Sequence, residues 1–251
     1  MFDLTGKVAL ITGSTRGIGL AIAEEMAKAG AKVVISSRKP AACEKVADEL
    51  AAKGYETLAI PCHVAEKEEL YKLVDTALEK WGRIDILVAN AATNPVYGPL
   101  SELTDEAYDK IMNTNVRGTF WLCNKVLPQM EKLGGGSVIL LSSIAALRGN
   151  GVIGCYGMSK AAEASLARNL AIEWGPKNIR VNAIAPGLIR TDFAKALLDD
   201  PVRRQRAEER TPLRRVGEPK DIAGVAMFLA SEASAYVTGQ VLVADGGEMI
   251  S

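Results

Sequence analysis

Short runs of β-branched and apolar residues alternate along the chain with longer segments of helical period. The runs that predict strands lie at residues 7–12, 32–37, 57–61, 84–89, 137–141, 179–184 and 240–244. The segments that predict helices lie at residues 18–29, 41–52, 67–81, 106–130, 157–174 and 220–230. Residues 8–11 and 86–89 are apolar throughout, as strands buried on both faces are. The alternation predicts one α/β domain over residues 1–251, a Rossmann-like, doubly wound sheet of seven parallel strands with helices on both faces.

The longest stretch outside this alternation is residues 187–219, which follow the sixth predicted strand. It contains three prolines, and six arginines lie between Arg203 and Arg215. An insertion beyond the carboxyl end of a strand predicts a substrate lid. The alternative is a solvated pair of amphipathic helices, in which Glu208 and Glu209 pair with some of the arginines.

Composition narrows the classes of function. Thirty basic residues balance thirty acidic residues, so no global charge favours nucleic acid or an anionic membrane. No run approaches the roughly 20 apolar residues of a membrane span, and the first predicted strand begins too early to leave room for a signal peptide. Four scattered cysteines predict reduced thiols, so we expect a cytoplasmic protein. With His63 as the only histidine, we expect no histidine-based metal site and no Ser-His-Asp hydrolase.

A glycine-rich turn follows the first predicted strand and opens the first predicted helix. Glycines let bare backbone approach a pyrophosphate, and a helix N-terminus offers free N–H groups. The spacing G-x-x-x-G-x-G meets the general dinucleotide fingerprint only in part, but its strand–turn–helix context favours cofactor binding over a mere tight connection. The residues predicted to bind the cofactor here are Gly13, Ser14, Arg16, Gly17, Ile18 and Gly19.

The end of the second predicted strand favours NADP over NAD. NAD enzymes usually place an acidic residue there to hold the ribose 2′-hydroxyl, and this chain has Ser37, Arg38 and Lys39 instead. Arg38 is suited to pair with a 2′-phosphate, and Arg16 could reach the same group. The alternative is that Arg38 and Lys39 are ordinary surface charges, which leaves NAD(H) open.

Ser143, Tyr156 and Lys160 indicate acid–base chemistry. Tyr156 and Lys160 lie four residues apart at the start of a predicted helix and so share one face. A phenol with a pKa near 10 is a poor acid–base group at neutral pH, but a neighbouring ammonium and an oxidised nicotinamide would lower that pKa. The Ser143 hydroxyl could hold a carbonyl oxygen where negative charge develops.

Further motifs stand at matching places in the strand–helix pattern: Asn90-Ala91 after the fourth predicted strand, Asn115 in a predicted helix, and Pro186-Gly187 with Thr191 after the sixth predicted strand. With the glycine turn and the Ser143, Tyr156 and Lys160 set, they resemble the single-domain short-chain dehydrogenase/reductase family along essentially the full chain. The resemblance implies a nicotinamide-dependent oxidoreductase.

The resemblance also implies residue roles. Tyr156 donates a proton to the substrate oxygen during reduction, while Lys160 binds the nicotinamide ribose and tunes Tyr156. Ser143 orients the carbonyl, and Asn115 holds a water in the proton relay. Implied cofactor contacts beyond the glycine turn are Ser37, Arg38, Lys39, His63, Val64, Asn90, Ala91, Tyr156, Lys160, Pro186, Gly187, Ile189 and Thr191. A homotetramer or homodimer paired through the helices at 106–130 and 157–174 is implied as well.

The chain departs from the family pattern at two places. Ala89 and Ala92 replace the first Asn and the Gly of the N-N-A-G motif. His63-Val64 stands where the family often has Asp-Val contacting adenine, so His63 either keeps that contact or caps the strand. The end of the second predicted strand and the segment at His63-Val64 resemble the NADPH-dependent carbonyl reductase branch of the family, near the dehydrogenase/reductase member 4 group.

The leading hypothesis is an NADPH-dependent reductase that transfers hydride to a ketone or aldehyde, and reversibly oxidises the alcohol. The same motifs suit a 3-oxoacyl-(carrier protein) reductase or an NAD-dependent alcohol or steroid dehydrogenase. A non-catalytic nucleotide sensor is disfavoured, because a sensor has no need of the proton-relay residues. We expect a small-molecule substrate pocket from residues 93–98, 145–155 and 188–198, mostly apolar or small, which suits a moderately hydrophobic carbonyl compound.

Overall fold

The computed structural model describes the backbone of residues 1–251 and all side chains except those of Ala196 and Leu197. The strands are β1 (Val8–Thr12), β2 (Lys32–Ser36), β3 (Thr57–Ala59), β4 (Ile86–Ala89), β5 (Gly136–Leu141), β6 (Ile179–Pro186) and β7 (Val241–Ala244). The helices are α1 (Gly17–Lys28), α2 (Pro40–Ala51), α3 (Lys67–Trp81), α4 (Asp105–Met112), α5 (Gly118–Lys132), α6 (Gly154–Trp174), α7 (Lys195–Leu198), α8 (Pro201–Arg210) and α9 (Pro219–Ala230).

The strands form one seven-stranded sheet in the order β3-β2-β1-β4-β5-β6-β7, and every neighbouring pair is parallel. This arrangement confirms the predicted Rossmann-like α/β fold. The chain winds outward from β1 in both directions, so the order reverses between β1 and β4. In open parallel sheets, a crevice for ligands lies beyond the carboxyl ends of the strands at this reversal.

Two hydrophobic cores flank the sheet, because successive strand residues point to opposite faces. Leu10 and Val34 belong to the core beneath α3, α5 and α6. Ile11 and Ile35, their chain neighbours, belong to the core beneath α1, α2 and α9. Burial on both faces explains why these strands have continuous rather than alternating apolar sequences.

The helix predicted at residues 106–130 is interrupted in the structure. A π-helical turn, Asn113–Arg117, separates α4 from α5. Within this turn Asn115 is fully buried and bonds the backbone of Thr93, and Gly118 then allows α5 to approach the Val64 carbonyl. Apolar spacing alone predicts a continuous helix, because these polar and backbone contacts leave no mark on it.

Residues 187–219 contain α7 and α8. Ala194, Leu198 and Val216 form a small buried cluster, with Leu188 packed against it. The α8 helix has no buried residue, in contrast to the helices against the sheet. The side chains of Ala196 and Leu197, which fall within the predicted lid and pocket segments, lie outside the described residues. Among the described residues, no helix is both long enough and apolar enough to cross a bilayer.

Candidate active site

A cleft of about 1270 Å³ runs over the carboxyl ends of the central strands. Its walls come from the turn after β1, the ends of β2, β4, β5 and β6, the start of α6, and residues 187–207 in part. The cleft thus lies at the reversal of strand order. Most of the residues predicted from sequence to bind the cofactor or perform chemistry line it.

The glycine turn closes tightly on the end of β4. Asn90 Nδ2 donates to the carbonyls of Thr12 and Gly13, at 2.8 and 3.1 Å. A Cβ on Gly13 would lie 2.8 Å from that same nitrogen, and one on Gly19 would overlap the Gly13 carbonyl. Gly13 also has a φ of 68°, which favours glycine. The glycines and Asn90 therefore hold the turn in its shape.

The start of α1 offers an anion site beside this turn. The helix begins at Gly17, and among the described side chains none caps its first N–H groups. Gly17, Ile18 and Gly19 line the cleft, so uncapped donors at a helix N-terminus stand beside it. These residues fit the pyrophosphate of a dinucleotide.

Ser14, predicted to contact the cofactor, faces into the protein. Its side chain is fully buried, and its hydroxyl donates to the Ile11 carbonyl at 2.8 Å and accepts from Ser36 N at 2.9 Å. Its own N–H donates to the Ser36 carbonyl at 3.0 Å. Both of its donors are used within the protein, so Ser14 joins the ends of β1 and β2 and does not line the cleft. Sequence could not separate it from its cleft-facing neighbours.

Basic side chains stand at the far end of the cleft. Arg38 and Lys39 are exposed and line it, and among the described residues neither forms an ion pair. The adjacent Ser37 is held by Cys43, whose sulfur accepts from Ser37 N at 3.1 Å. Arg16 lines the cleft too, but its guanidinium is 3.1 Å from an Asp192 carboxylate oxygen. Arg38 and Lys39 are therefore the cations without a carboxylate partner at this end.

His63 and Val64 line the cleft after β3. The Nδ1 atom of His63 accepts from Ala65 N at 3.2 Å, and His63 N donates to Glu69 Oε2 at 2.6 Å. The imidazole thus caps the turn that leads from β3 into α3. The contact with adenine stays a prediction.

The predicted acid–base residues converge at the other end. Tyr156 and Lys160 lie in the first turns of α6, with Lys160 Nζ 5.6 Å from the centroid of the Tyr156 ring. Ser142 Oγ donates to the Lys160 carbonyl at 2.8 Å, which ties α6 to the end of β5. Ser143 Oγ accepts from Ala145 N at 3.1 Å, which leaves its own hydrogen available to donate into the cleft.

Lys160 is almost completely buried although it carries a charge. Its Nζ donates to the Leu141 carbonyl at 2.6 Å and to Glu163 Oε2 at 2.7 Å, and both ionisable side chains are 1% exposed. Burial lowers the pKa of Lys160, but the charges of Glu163 and Tyr156 outweigh it, so the net shift is upward. Burial raises the pKa of Glu163 to about 7 against the opposing effect of Lys160. The motifs did not indicate Glu163; the only sequence signal was an acid one helical turn from a lysine.

The protein's own groups raise the pKa of Tyr156 above its usual value. Burial is the largest cause, since it disfavours the phenolate. Lys160 and the Ser143 hydroxyl lower the pKa, as expected from sequence, whereas Glu163 and Tyr97 raise it. The lysine therefore acts in the expected direction without reversing the effect of burial.

Asn115, predicted to hold a water in the relay, does not line the cleft. Its Nδ2 donates to the Thr93 carbonyl and to Ser159 Oγ, both at 3.0 Å, and its Oδ1 accepts from Thr93 N at 2.8 Å. Its carbonyl accepts from Thr119 Oγ1 at 2.7 Å. The side chain thus holds the loop after β4 against α6. The role of Asn115 in a proton relay stays a prediction.

The remaining predicted cofactor residues line the cleft after β4 and β6: Asn90, Ala91, Pro186, Gly187, Ile189 and Thr191. Thr191 stands against the glycine turn, because a Cβ on Gly17 would lie 3.1 Å from its Cγ2. Phe193 continues this wall, with its ring centroid 5.6 Å from that of Tyr156. Tyr97 donates its hydroxyl to the Phe193 carbonyl at 3.3 Å.

The substrate end is more polar than predicted. Thr93, Ala145, Ile153 and Leu188 come from the three expected segments. The cleft also contains an ion pair between Arg148 and Glu248, and Arg203 of α8. Arg203 belongs to the predicted lid segment, whereas sequence did not indicate Glu248, because it reaches the site from the far end of the chain.

Comparisons with known proteins identify the family of the chain. A family model described as Enoyl-(Acyl carrier protein) reductase matches residues 13–248. Dehydrogenase/reductase SDR family member 4 of Oryctolagus cuniculus is 46% identical over 244 residues, covering 97% of this chain and 94% of the relative. The Homo sapiens protein of that name is 45% identical over 97% of this chain and 88% of its own length. The chain therefore belongs to the short-chain dehydrogenase/reductase family, whose members are NAD(P)-dependent oxidoreductases.

Solved structures confirm the fold. A gluconate 5-dehydrogenase from Burkholderia cenocepacia in complex with NADP and tartrate has a TM-score of 0.96 and 34% identity, covering 100% of this chain and 98% of that one. A 7α-hydroxysteroid dehydrogenase complexed with NADH and 7-oxo glycochenodeoxycholic acid has a TM-score of 0.94 and 41% identity, covering 98% and 95%. These two structures hold different nicotinamide cofactors.

Proposed function

We propose that this protein is an NADPH-dependent reductase that transfers hydride to a ketone or aldehyde, and that it reversibly oxidises the alcohol. The observation that supports the proposal most strongly is that one cleft contains an acid–base set at one end and a cationic subsite at the other. At one end stand Tyr156, Lys160 and Ser143, and at the other the exposed Arg38 and Lys39. A purely structural role gives no reason for an acid–base set to face a cationic subsite.

The protein's residues divide the work of the reaction. Tyr156 is the general acid, and its hydroxyl gives a proton to the substrate oxygen. The raised pKa of Tyr156 keeps it in the phenol form that can donate. The Ser143 hydroxyl donates to the same oxygen and stabilises the charge that develops there. Lys160 is fixed behind them by Leu141 and Glu163 and limits the rise in the pKa of Tyr156.

The nicotinamide cofactor, when bound, supplies the hydride in reduction and accepts it in oxidation. We propose that the glycine turn and the start of α1 hold its pyrophosphate, and that Arg38 and Lys39 hold a 2′-phosphate. We propose that Lys160 contacts the nicotinamide ribose, and its position in the lining of the cleft supports this. The cleft residues assigned to the adenine, the amide and the neighbouring contacts are His63, Val64, Asn90, Ala91, Pro186, Gly187, Ile189 and Thr191.

The decisive experiment is oxidation of NADPH and NADH, side by side, with a panel of ketones, diketones and aldehydes. We expect turnover that favours NADPH and is abolished by Tyr156→Phe, with NADPH binding retained. Tyr236→Phe is the matched control, because that tyrosine is fully exposed, and it should keep wild-type activity. Turnover retained by the Tyr156 variant would refute the proposed acid. A preference for NADH would instead favour an alcohol or steroid dehydrogenase.

A second candidate is a 3-oxoacyl-(carrier protein) reductase. The α8 helix is exposed and carries four arginines, Arg203, Arg204, Arg206 and Arg210, beside the mouth of the cleft. Such a surface suits an acidic carrier protein. A much lower KM for a carrier-bound 3-oxoacyl group than for a short thioester of the same acyl chain would support this candidate. Equal KM values would exclude docking through α8.

We also propose that the chain forms a homotetramer or homodimer through α5 and α6. Phe120 on α5 and Ile172 on α6 are 49% and 80% exposed, although both are large and apolar. Burying such side chains between copies would remove apolar surface from water. Light scattering should give a multiple of the chain mass of 26.7 kDa, and a monomeric mass would contradict this.

A further inference from the structure

A buried carboxylate stands behind the predicted acid–base pair. Glu163 follows Lys160 by one helical turn in α6, and its Oε2 accepts from Lys160 Nζ at 2.7 Å. Both side chains are 1% exposed. Glu163 is not among the described residues that line the cleft, so it contacts neither substrate nor cofactor directly. Burying a charge is costly, so its presence here calls for an explanation.

The other oxygen of Glu163 meets α5. Thr119 Oγ1 lies 3.2 Å from Glu163 Oε1 and donates at 2.7 Å to the Asn115 carbonyl. A hydroxyl has only one hydrogen, and the shorter bond takes it. Thr119 therefore does little to stabilise a carboxylate. The neighbouring Cys123 stays neutral, because burial and Glu163 raise its pKa to about 12. Lys160 is thus the balancing charge for Glu163.

We propose that Glu163 is a positioning residue that fixes Lys160 and offsets its charge, which keeps Tyr156 in the phenol form required of a reductase. The inference rests on the proposed function in that last step. Of the three N–H groups of Lys160, two are bonded to the Leu141 carbonyl and to Glu163, which leaves one for the reacting end. A nearby carboxylate also weakens the attraction between the ammonium and a phenolate.

The groups that face Tyr156 act in opposite directions. Lys160, from the same helix, and Ser143, from the end of β5, favour the phenolate. Glu163, from the same helix, and Tyr97, from the loop after β4, disfavour it. Removing only the charge of Glu163 takes away one of the groups that disfavour the phenolate, while the charge of Lys160 still favours it. The pKa of Tyr156 should then fall.

Titration of the protein itself tests this without substrate or cofactor. Tyrosinate absorbance in the near ultraviolet is followed against pH for the wild type and Glu163→Gln, each with and without Tyr156→Phe. The difference isolates one of the six tyrosines. Glutamine keeps the contacts, because its oxygen accepts from Lys160 and its amide donates to Thr119. We expect the Tyr156 transition to move to lower pH in Glu163→Gln.

The matched control is Glu173→Gln, an exposed position on the same helix, which should leave the Tyr156 transition unchanged. If Glu163→Gln does not fold, Glu163→Met removes the charge at similar length and should give the same direction. A transition that is unchanged, or that moves to higher pH, overturns the inference. An equal shift in Glu173→Gln overturns it as well, because the effect would then be unspecific.

The pH profile of alcohol oxidation gives an independent readout. In Glu163→Gln the rising limb of kcat/KM should move to lower pH, with values on that limb about three- to ten-fold above wild type, because the phenolate fraction increases as the pKa falls. A limb that does not move while Tyr156 titrates lower refutes the coupling to catalysis. Absence of turnover by the wild type with every carbonyl compound and alcohol refutes the proposed function itself, and the titration result still tests the role of Glu163.

Discussion

At the scale of single residues, we propose that Arg38 sets the preference for NADPH over NADH. Its guanidinium lines the cleft, is exposed, and has no ion-pair partner among the described residues. A charge-assisted bond to a 2′-phosphate contributes about 1.5–3 kcal/mol. Arg38→Ala should therefore raise KM for NADPH by about ten- to a hundred-fold and leave KM for NADH nearly unchanged. Steady-state kinetics with both cofactors measures this.

Arg168→Ala serves as the control for that substitution. Arg168 is an exposed arginine of α6 that does not line the cleft, so its loss should change neither KM. Equal increases for NADPH and NADH in Arg38→Ala would mean that Arg38 does not bind the 2′-phosphate. Lys39 would then be the next residue to replace.

The raised pKa of Glu163 predicts how the free energy of unfolding depends on pH. Its pKa is about 7 in the folded protein and 4.5 in its ordinary state, so the folded chain binds more protons between these values. The contribution of Glu163 to the free energy of unfolding is fully present below pH 4.5 and is lost as the pH rises to about 7. Glutamine does not titrate, so Glu163→Gln should gain free energy of unfolding relative to wild type over that pH range.

Urea denaturation of both proteins at several pH values across that range checks the sign. All other carboxylates are common to the two proteins, so the difference between them isolates Glu163. A difference that does not change with pH, or that changes in favour of the wild type as pH rises, would show that Lys160 keeps Glu163 ionised throughout.

Residue types and spacing predict the location of side chains near the site more reliably than the role of each side chain. Gly13, Tyr156 and Arg38 line the cleft as expected, because the carboxyl ends of parallel strands converge. Ser14 and Asn115 turn inward, because each satisfies buried backbone groups on a neighbouring segment. Such pairings are set by tertiary contacts and leave no pattern in the chain.

At the scale of secondary-structure elements, the periodicity of hydrophobic residues was sufficient to predict the sheet. The strands are buried on both faces and differ from the helices in length and composition, so each appears near its predicted place. The π-helical turn between α4 and α5 could not be predicted, because Asn113–Arg117 keeps apolar residues at helical spacing on either side. The turn depends on Asn115 reaching Thr93, a contact across 22 residues.

Replacing Gly118 tests whether the packing next to the π-helical turn affects the cofactor end of the cleft. A Cβ there would overlap the Val64 carbonyl, which is backbone and cannot rotate away. Gly118→Ala should destabilise the protein by about 1–3 kcal/mol, since α5 or the segment after β3 must move. The same movement should weaken cofactor binding, because His63 and Val64 line the cleft. Denaturation and cofactor titration measure the two effects.

Gly224 in α9 is the matched helical glycine for this comparison. Nothing lies within 4 Å of a Cβ at that position, and the residue is exposed. Gly224→Ala should be neutral or stabilise the protein by about 0.5–1 kcal/mol, because alanine has the higher helix propensity. Equal destabilisation by both substitutions would show that the Val64 contact is not the cause.

At the scale of the whole molecule, residues 187–219 connect the two ends of the cleft. Thr191 lies against the glycine turn, Phe193 lies near Tyr156, and Asp192 pairs with Arg16 at 3.1 Å. A cofactor that reached from the glycine turn towards Tyr156 would therefore pass beside residues 191–193. We propose that the segment acts as a substrate lid, in preference to a solvated helix pair.

Limited trypsin digestion distinguishes the two alternatives. The α8 helix has no buried residue and carries exposed arginines, while Arg203 and Ala207 on one of its faces line the cleft. If the segment is a lid, saturating NADPH should slow cleavage within residues 187–219 by about ten-fold or more, because protection follows the free energy of opening. Cleavage after Lys132, which is exposed at the end of α5 and precedes the amino end of β5, gives the internal control and should keep its rate. Mass spectrometry assigns each cut. Equal slowing at both places would indicate global stabilisation by the ligand, and unchanged cleavage in α8 would favour the solvated helix pair.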